Sequence, residues 1–182
     1  KPLNVDFTGS VPEDATTIVF AAPAEDISDK EKEIILDYTQ NGGNLTMLLS
    51  PQEKKIAFKN IEEILKTYEI AMDYNRIYET QSGYCLPGDQ YTIMCQFSDK
   101  EFNKPLIEAQ GGSSLYMPSS RSFYYVGSDD SELEVEELIS TYDTAMSELY
   151  GGTKTDAQMP AGILYLAAKA EDPTRNGSKL FV

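Results

Sequence analysis

The chain has 182 residues, 41% of them hydrophobic, and its 30 acidic and 15 basic residues give it a net charge of -15. This composition allows a globular core, and the negative field argues against nucleic acid or an anionic membrane surface as a partner. The chain has no histidine and only two cysteines, which excludes a Ser-His-Asp triad, a Cys-His dyad and the usual zinc sites.

The first predicted elements form a strand-helix-strand unit. TTIVFAAP (16–23) is a short apolar, β-branched run that ends at a proline, as buried strands of parallel sheets do. Ser28 and Glu31 then match a capping box, which predicts the start of an amphipathic helix. A second apolar run, NLTMLLS (44–50), follows the helix and predicts a strand parallel to the first.

Gly42 and Gly43 separate this helix from the second strand. A phosphate-binding glycine loop lies between a strand and the following helix, where free N–H groups and the positive helix end meet the anion. This pair lies at a helix C-terminus instead, where the partial charge is negative. The position predicts a helix cap, with Gly42 in the left-handed conformation and Gly43 turning the chain into Asn44.

The rest of the chain changes character near residue 81. Before it, apolar residues at spacings of three and four over 57–68 predict a second amphipathic helix. After it, short alternating runs predict strands, and GILYLAAKA (162–170) with SKLFV (178–182) predicts a closing hairpin. The other predicted strands are NRIYET (75–80), YTIMCQF (91–97), and SLYMP and SFYYV within 114–126. VEELIST (135–141) fits either a helix turn or a strand, and we favour the strand. We expect one α/β domain over 1–182, with a strand-helix-strand core over 11–80 and a strand-rich second half over 81–182.

The sequence lacks the common motifs of nucleotide-binding loops and of catalytic serines. It contains no G-x-x-x-x-G-K-[ST] or G-x-G-x-x-G loop, no G-x-S-x-G turn and no S-x-x-K pair. The sequence therefore predicts no catalytic residue, no cofactor and no metal. Cys85 and Cys95 could pair across a hairpin or remain free thiols.

One candidate ligand site follows from the predicted sheet. Ligands of open parallel sheets bind outside the carboxyl ends of the strands. This rule places Ala22, Pro23, Ser50 and Pro51 at the rim, with Arg121 as a candidate contact for an anion or a sugar.

Residues 11–51, VPEDATTIVFAAPAEDISDKEKEIILDYTQNGGNLTMLLSP, resemble the extracytoplasmic domain of gliding-motility-type (GldG-like) ABC transporter auxiliary components. The family pattern has a turn of the form iPeda, a strand ending in proline, a capped helix ending in YL-GG, and a strand ending in Asp-Pro. Further on, Lys104-Pro105-Leu106 and PSSRS (118–122) resemble two more of its elements. This sequence departs from the pattern at Ser50, where the family has an aspartate. The positions that match in 11–51 are Pro12, Glu13, Asp14, Ala15, Pro23, Ser28, Glu31, Tyr38, Gly42, Gly43 and Pro51.

The resemblance implies a fold, a cellular location and a set of partners. The fold is flavodoxin-like or class I glutamine-amidotransferase-like, with an open, mainly parallel sheet, flanking helices and extra short strands in the C-terminal half, and without the amidotransferase triad. The setting is an extracytoplasmic domain of a longer, membrane-anchored bacterial protein, because the family's domain starts further upstream and continues further downstream. The partners would be an ABC permease and ATPase.

Three functions remain open at this point. The first is a non-enzymatic interaction or sensing domain of such a transport system. The second is a carbohydrate or small-ligand binding module, and the third is a histidine-free hydrolase that relies on carboxylates. No run of about 18 apolar residues is present, so the chain itself is not expected to span a bilayer.

Overall fold

The computed structural model describes residues 3–52, 57–98, 100–110, 114–128, 130–149 and 162–182. No helix in these ranges is long and apolar enough to cross a membrane. The α-helices are α1 (Val5–Thr8), α2 (Asp29–Gln40), α3 (Lys59–Lys66) and α4 (Lys104–Gln110), and two 3₁₀-helices span Glu101–Asn103 and Pro173–Arg175. The strands are β1 (Thr17–Ala21), β2 (Asn44–Leu48), β3 (Ile70–Met72), β4 (Asn75–Tyr78), β5 (Cys85–Leu86), β6 (Asp89–Phe97), β7 (Leu115–Pro118), β8 (Phe123–Tyr125), β9 (Glu134–Ser140), β10 (Met146–Leu149), β11 (Tyr165–Asp172) and β12 (Ser178–Phe181).

The strand-helix-strand prediction for the N-terminal part is confirmed. β1 and β2 pair in parallel, with Val19 opposite Thr46. α2 begins with the predicted capping box, in which the Glu31 N–H donates to Ser28 Oγ at 3.2 Å and the Ser28 N–H donates to Glu31 Oε2 at 2.8 Å. Local sequence signals therefore fix this unit, because both ends of the helix and both strands are marked in the chain.

The two glycines end α2 as predicted, and the structure adds a second reason for Gly43. Gly42 has a φ of 90°, a conformation that favours glycine. Gly43 is buried, and a Cβ atom built on it would lie 2.2 Å from Cζ of Tyr38. The Gly43 N–H also donates to the Tyr38 carbonyl at 3.0 Å. The missing side chain thus makes room for the tyrosine ring at the entrance to β2.

The predicted flavodoxin-like, mainly parallel sheet with flanking helices is wrong. Ten strands form one sheet in the order β1-β2-β12-β11-β9-β6-β5, with β3, β7 and β8 attached at its side. Within the described residues only the β1–β2 and β2–β12 pairs are parallel, and the other pairs of this sheet are antiparallel. β4 and β10 form a separate antiparallel pair.

The closing hairpin explains this departure. β11 and β12 pair in antiparallel fashion as predicted, and their turn contains Asn176 with a φ of 54°. β12 also pairs with β2 in parallel, so the hairpin joins the parallel unit to the antiparallel second half. Antiparallel strands need only short connections, and for this reason many strands and few helices fill the second half.

α2 and α3 cover one face of the β1–β2–β12 region, which we call the helix face, while on the opposite face the ring of Phe102 lies 5.3 Å from the ring of Phe181. Its buried residues Leu45, Met47 and Leu180 belong to one core cluster with residues of α2 and α3. The opposite, outer face carries the alternate residues, and two of these, Val19 and Leu48, are 59% and 56% exposed. A parallel sheet of the predicted class would be covered on both faces.

Several elements were not predicted from the sequence. They include the short strands β3 and β5, the helix α4 and the strand β10, which pairs with β4. A second, smaller core cluster forms around Ile77, Ile93 and Leu166. Cys85 and Cys95 are both free thiols, so the alternative of a disulfide is not realised here.

Candidate functional site

Four of the predicted site residues lie at one edge of the sheet, where β1 and β2 end. The Ala22 N–H donates to the Leu48 carbonyl at 2.8 Å, and the Pro23 carbonyl accepts from Gln52 Nε2 at 3.3 Å. Ser50 is exposed and Pro51 is half-buried. The parallel pairing of β1 and β2 brings these residues together, since parallel strands end at the same edge.

The start of α3 lies at this edge and is already capped by a carboxylate. Asp26 accepts from the backbone N–H groups of Asn60 at 2.8 Å and Ile61 at 3.2 Å. The Asn60 side chain in turn donates to the Ile27 carbonyl at 2.7 Å. A helix N-terminus attracts anions, but here Asp26 occupies it, so an added phosphate would meet a negative charge.

Arg121, the fifth predicted site residue, is buried in the protein. It is 3% exposed, its Nη1 donates to Sδ of Met72 at 3.1 Å, and its guanidinium lies 5.6 Å from the centre of the Tyr74 ring. Burial lowers the pKa of Arg121, while Tyr74, Asp73 and Glu62 oppose that shift. Its Nε has no hydrogen-bond partner among the described residues. The structure thus places Arg121 beneath the surface, packed on Met72 and Tyr74.

Tyr74 connects Arg121 to the start of α3. The Phe58 N–H donates to the Tyr74 hydroxyl at 2.9 Å, and that hydroxyl donates to the Glu62 carboxylate. Burial, together with the bond to Glu62, raises the pKa of Tyr74 to about 12, so the hydroxyl stays protonated at neutral pH. Arg121 and the rim residues therefore belong to one continuous region, although only the rim residues reach the surface.

A buried serine lies beside Arg121. The hydroxyl of Ser122 donates to Oδ2 of Asp73 at 2.5 Å and accepts from Nδ2 of Asn75 at 2.8 Å. The Ser122 N–H also donates to Oδ1 of Asn75 at 3.1 Å. Ser122 and Asn75 are each 1% exposed. This serine is bonded to a carboxylate but closed to a substrate, so the arrangement fixes the PSSRS segment (118–122).

Cys95 offers no better nucleophile in this structure. Cys95 is 5% exposed, and burial raises its pKa to about 12. A thiolate is the reactive form of cysteine, and at neutral pH this group is almost entirely a thiol. Among the described residues no group of three His, Cys, Asp or Glu side chains is placed to hold a metal ion.

A cleft of about 910 Å³ opens at the opposite edge of the same unit, where β1 and β2 begin. It lies between the segment 9–16, the exposed side of α2, and Gly42 to Asn44. The lining includes the carboxylates of Glu13, Glu33 and Asp37 and, among the described lining residues, no lysine or arginine. The C-terminal end of α2 adds partial negative charge, so the cleft suits a cationic group.

Several residues of this cleft carry sequence signals, but no local pattern in the sequence indicates a binding site there. The cleft lining contains six of the positions that carry the family resemblance, namely Pro12, Glu13, Ala15, Tyr38, Gly42 and Gly43. The Tyr38 hydroxyl donates to the Ala15 carbonyl at 3.4 Å across the inner wall. The acidic residues that recur along α2 are the one sequence signal for this cleft. The sequence alone does not show that they lie opposite the segment 9–16.

No family model and no curated protein matches this chain. Solved structures similar to this chain include the following two. The first, "mmIFT52 N-terminal domain", has a TM-score of 0.61 and 16% identity over 92% of this chain and 64% of that chain. The second, a putative ThuA-like protein from Bacteroides uniformis, has a TM-score of 0.44 and 12% identity over 91% of this chain and 58% of that one. The first likeness shows the fold alone. The resemblance to gliding-motility-type components stays a prediction.

Proposed function

We propose that this chain is a non-enzymatic, extracytoplasmic interaction domain of an auxiliary component of an ABC-type transport system. The observation that carries the proposal is the acidic cleft, whose lining gathers residues of the segment that resembles the gliding-motility-type components. The partners would be the permease and ATPase subunits, reached through the membrane-anchored parent. The cleft would receive a basic segment of the permease.

The electrostatics of the cleft support a protein partner of this kind. Glu33 and Asp37 lie one turn apart on α2 and are both exposed, and Glu13 faces them from the segment before β1. Complementary charge at an interface speeds encounter and suppresses wrong partners. A basic segment would gain from all three carboxylates, whereas a nucleic acid or a phosphate would be repelled.

A carbohydrate or small-ligand module is the second candidate, and the size of the cleft favours it. Ligand pockets commonly enclose about 300–1,000 Å³, and this cleft has about 910 Å³. Tyr38, Asn41 and Asn44 supply polar groups along its lining. A cationic sugar or amine would suit it better than a neutral glycan, because the surrounding charge is negative.

The test is chemical cross-linking in native membranes with the full-length parent protein. The double variant Glu33→Lys/Asp37→Lys reverses the charge of the cleft, and we expect recovery of the permease to fall at least about tenfold, or about 1.4 kcal/mol. The matched control is Glu101→Lys/Glu108→Lys, which reverses two exposed carboxylates, one just before α4 and one within it, and should leave recovery unchanged.

Two results would separate the candidates. If neither the permease nor the ATPase is recovered with the wild-type protein, the transport proposal fails. If a glucosamine-type sugar then raises the melting temperature of the wild-type chain and not of the double variant, the small-ligand function takes its place.

A further inference from the structure

β1 has the sequence of an interior strand but lies at the edge of the sheet. Its residues Thr17 to Ala21 read TIVFA, without a charge or a proline. Strands of this kind are normally buried on both faces in parallel sheets. Here β2 is the only described strand that pairs with β1, and Val19 is 59% exposed.

The backbone of β1 has a free side that can be assigned residue by residue. The Thr16 carbonyl accepts from the Asn44 N–H at 3.2 Å, and the Ala22 N–H donates to the Leu48 carbonyl at 2.8 Å. Backbone groups alternate in direction along a strand. The N–H and C=O groups of Thr17, Val19 and Ala21 therefore point away from β2, towards a side where no strand is present in the described part of the chain.

β1 lacks three of the features by which proteins prevent strand addition. Edge strands are commonly protected by lysine, by proline or by a bulge. β1 contains neither residue, and its register with β2 runs without a shift from Thr17 to Ala21. Leu48, which is 56% exposed on the same outer face, extends the apolar surface next to Val19.

The charge around the edge indicates what kind of chain would bind. Glu13 and Asp14 precede β1, Glu25 follows it, and all three are exposed. A second copy of this chain would bring another net charge of -15 against these residues. A partner strand flanked by lysine or arginine would instead meet carboxylates at both of its ends.

We propose that β1 is a docking edge to which an extended segment of a partner protein adds as a further strand of the sheet. The segment is apolar at alternate positions and carries basic residues on both flanks. Its backbone bonds to Thr17, Val19 and Ala21, and its apolar side chains pack beside Val19. This edge meets the acidic cleft at Glu13, which also lines the cleft, but the strand bonds of Thr17, Val19 and Ala21 do not depend on the function proposed above.

The experiment uses the whole chain and a labelled peptide of alternating valine and threonine with lysines at both ends. Binding is measured by fluorescence anisotropy, and amide hydrogen exchange is read by NMR with and without the peptide. We expect the peptide to slow exchange at Thr17, Val19 and Ala21. The amides of Ile18 and Phe20, which already face β2, should change far less.

Two variants test the same edge. Val19→Lys introduces a protective charge on an exposed position, and Val19→Pro removes an N–H that points away from β2. We expect each to weaken peptide binding at least about tenfold. Leu149→Lys is the matched control, because Leu149 is 43% exposed on β10, which belongs to the other sheet. This variant should bind the peptide as the wild type does.

Several outcomes would overturn the proposal. One is that the peptide slows amide exchange equally at all residues of β1, or at none of them. Another is equal binding of a peptide with glutamates in place of the lysines, which would remove the charge argument. A third is a dimer of the free protein that Val19→Lys abolishes, since a second copy would then be the occupant. If Val19→Pro fails to fold, the binding of the peptide to Val19→Lys and the exchange pattern of the wild type still show whether the peptide adds to β1.

Discussion

The two faces of the β1–β2–β12 region differ more than their sequences suggest. On the helix face Leu45, Met47 and Leu180 are between 0% and 1% exposed, because α2 and α3 pack on them. On the outer face Val19 and Leu48 are more than half exposed. Equally apolar residues thus contribute to the core on one face and to a surface on the other. What a hydrophobic residue does here depends on whether a helix covers it.

The largest expected effect comes from truncating matched residues on the two faces. Leu45→Ala leaves a cavity in the helix-face core and should reduce the free energy of unfolding by about 2–5 kcal/mol. Val19→Ala truncates an exposed side chain on the neighbouring strand and should change the free energy of unfolding by less than about 0.5 kcal/mol. Urea unfolding followed by circular dichroism measures both. Similar losses for the two variants would show that the outer face is covered.

The second prediction concerns the turn that leads into the helix-face core. Gly43→Ala places a methyl group 2.2 Å from the Tyr38 ring, and we expect it to destabilise the protein by about 1–3 kcal/mol. Gly83→Ala is the control, because nothing lies within 4 Å of its added Cβ atom. Adding Tyr38→Ala should remove most of the cost specific to Gly43→Ala, as a double-mutant cycle would show. A cost that is the same with and without the ring would contradict the steric explanation.

The smallest prediction concerns charged residues at the β11–β12 hairpin. Lys179 and Lys169 lie 3.1 Å and 3.4 Å from the Glu171 carboxylate, and they hold its pKa below the usual value of 4.5. A carboxyl whose pKa is lowered by folding contributes stability above its unfolded pKa and loses it as the pH falls through the folded pKa. The contribution should be about 1 kcal/mol or less, since the pair is partly exposed.

The variant Lys179→Met tests this pH dependence. Its free energy of unfolding should fall less than that of the wild type as the pH drops from about 5 towards 3, because less of the stabilising interaction remains to be lost. Lys66→Met is the control, since Lys66 is exposed on α3 and forms no ion pair with a described residue. Parallel pH curves for wild type and Lys179→Met would refute the assignment.

Sequence reasoning succeeded where the signals were local. The capping box at Ser28 and Glu31, the turn at Gly42 and Gly43, and the closing hairpin all depend on residues near one another in the chain. It failed for the sheet as a whole, because the pairing of β12 with β2 joins segments far apart in sequence. The burial of Arg121 is also not predictable from local sequence, because its guanidinium packs on Met72 and Tyr74, which are distant in the chain.

The sequence by itself determined the charge of this protein, the absence of histidine chemistry, and the β1–α2–β2 unit, since these follow from composition and short-range patterns. Only the tertiary structure decided that the sheet is mostly antiparallel, that Glu13, Glu33 and Asp37 line one cleft, and that β1 is the outermost strand of the sheet among the described residues. The physical reason is that strand order and helix coverage arise from contacts between distant segments. An apolar strand such as TIVFA satisfies the same local rules at the centre of a sheet and at its edge.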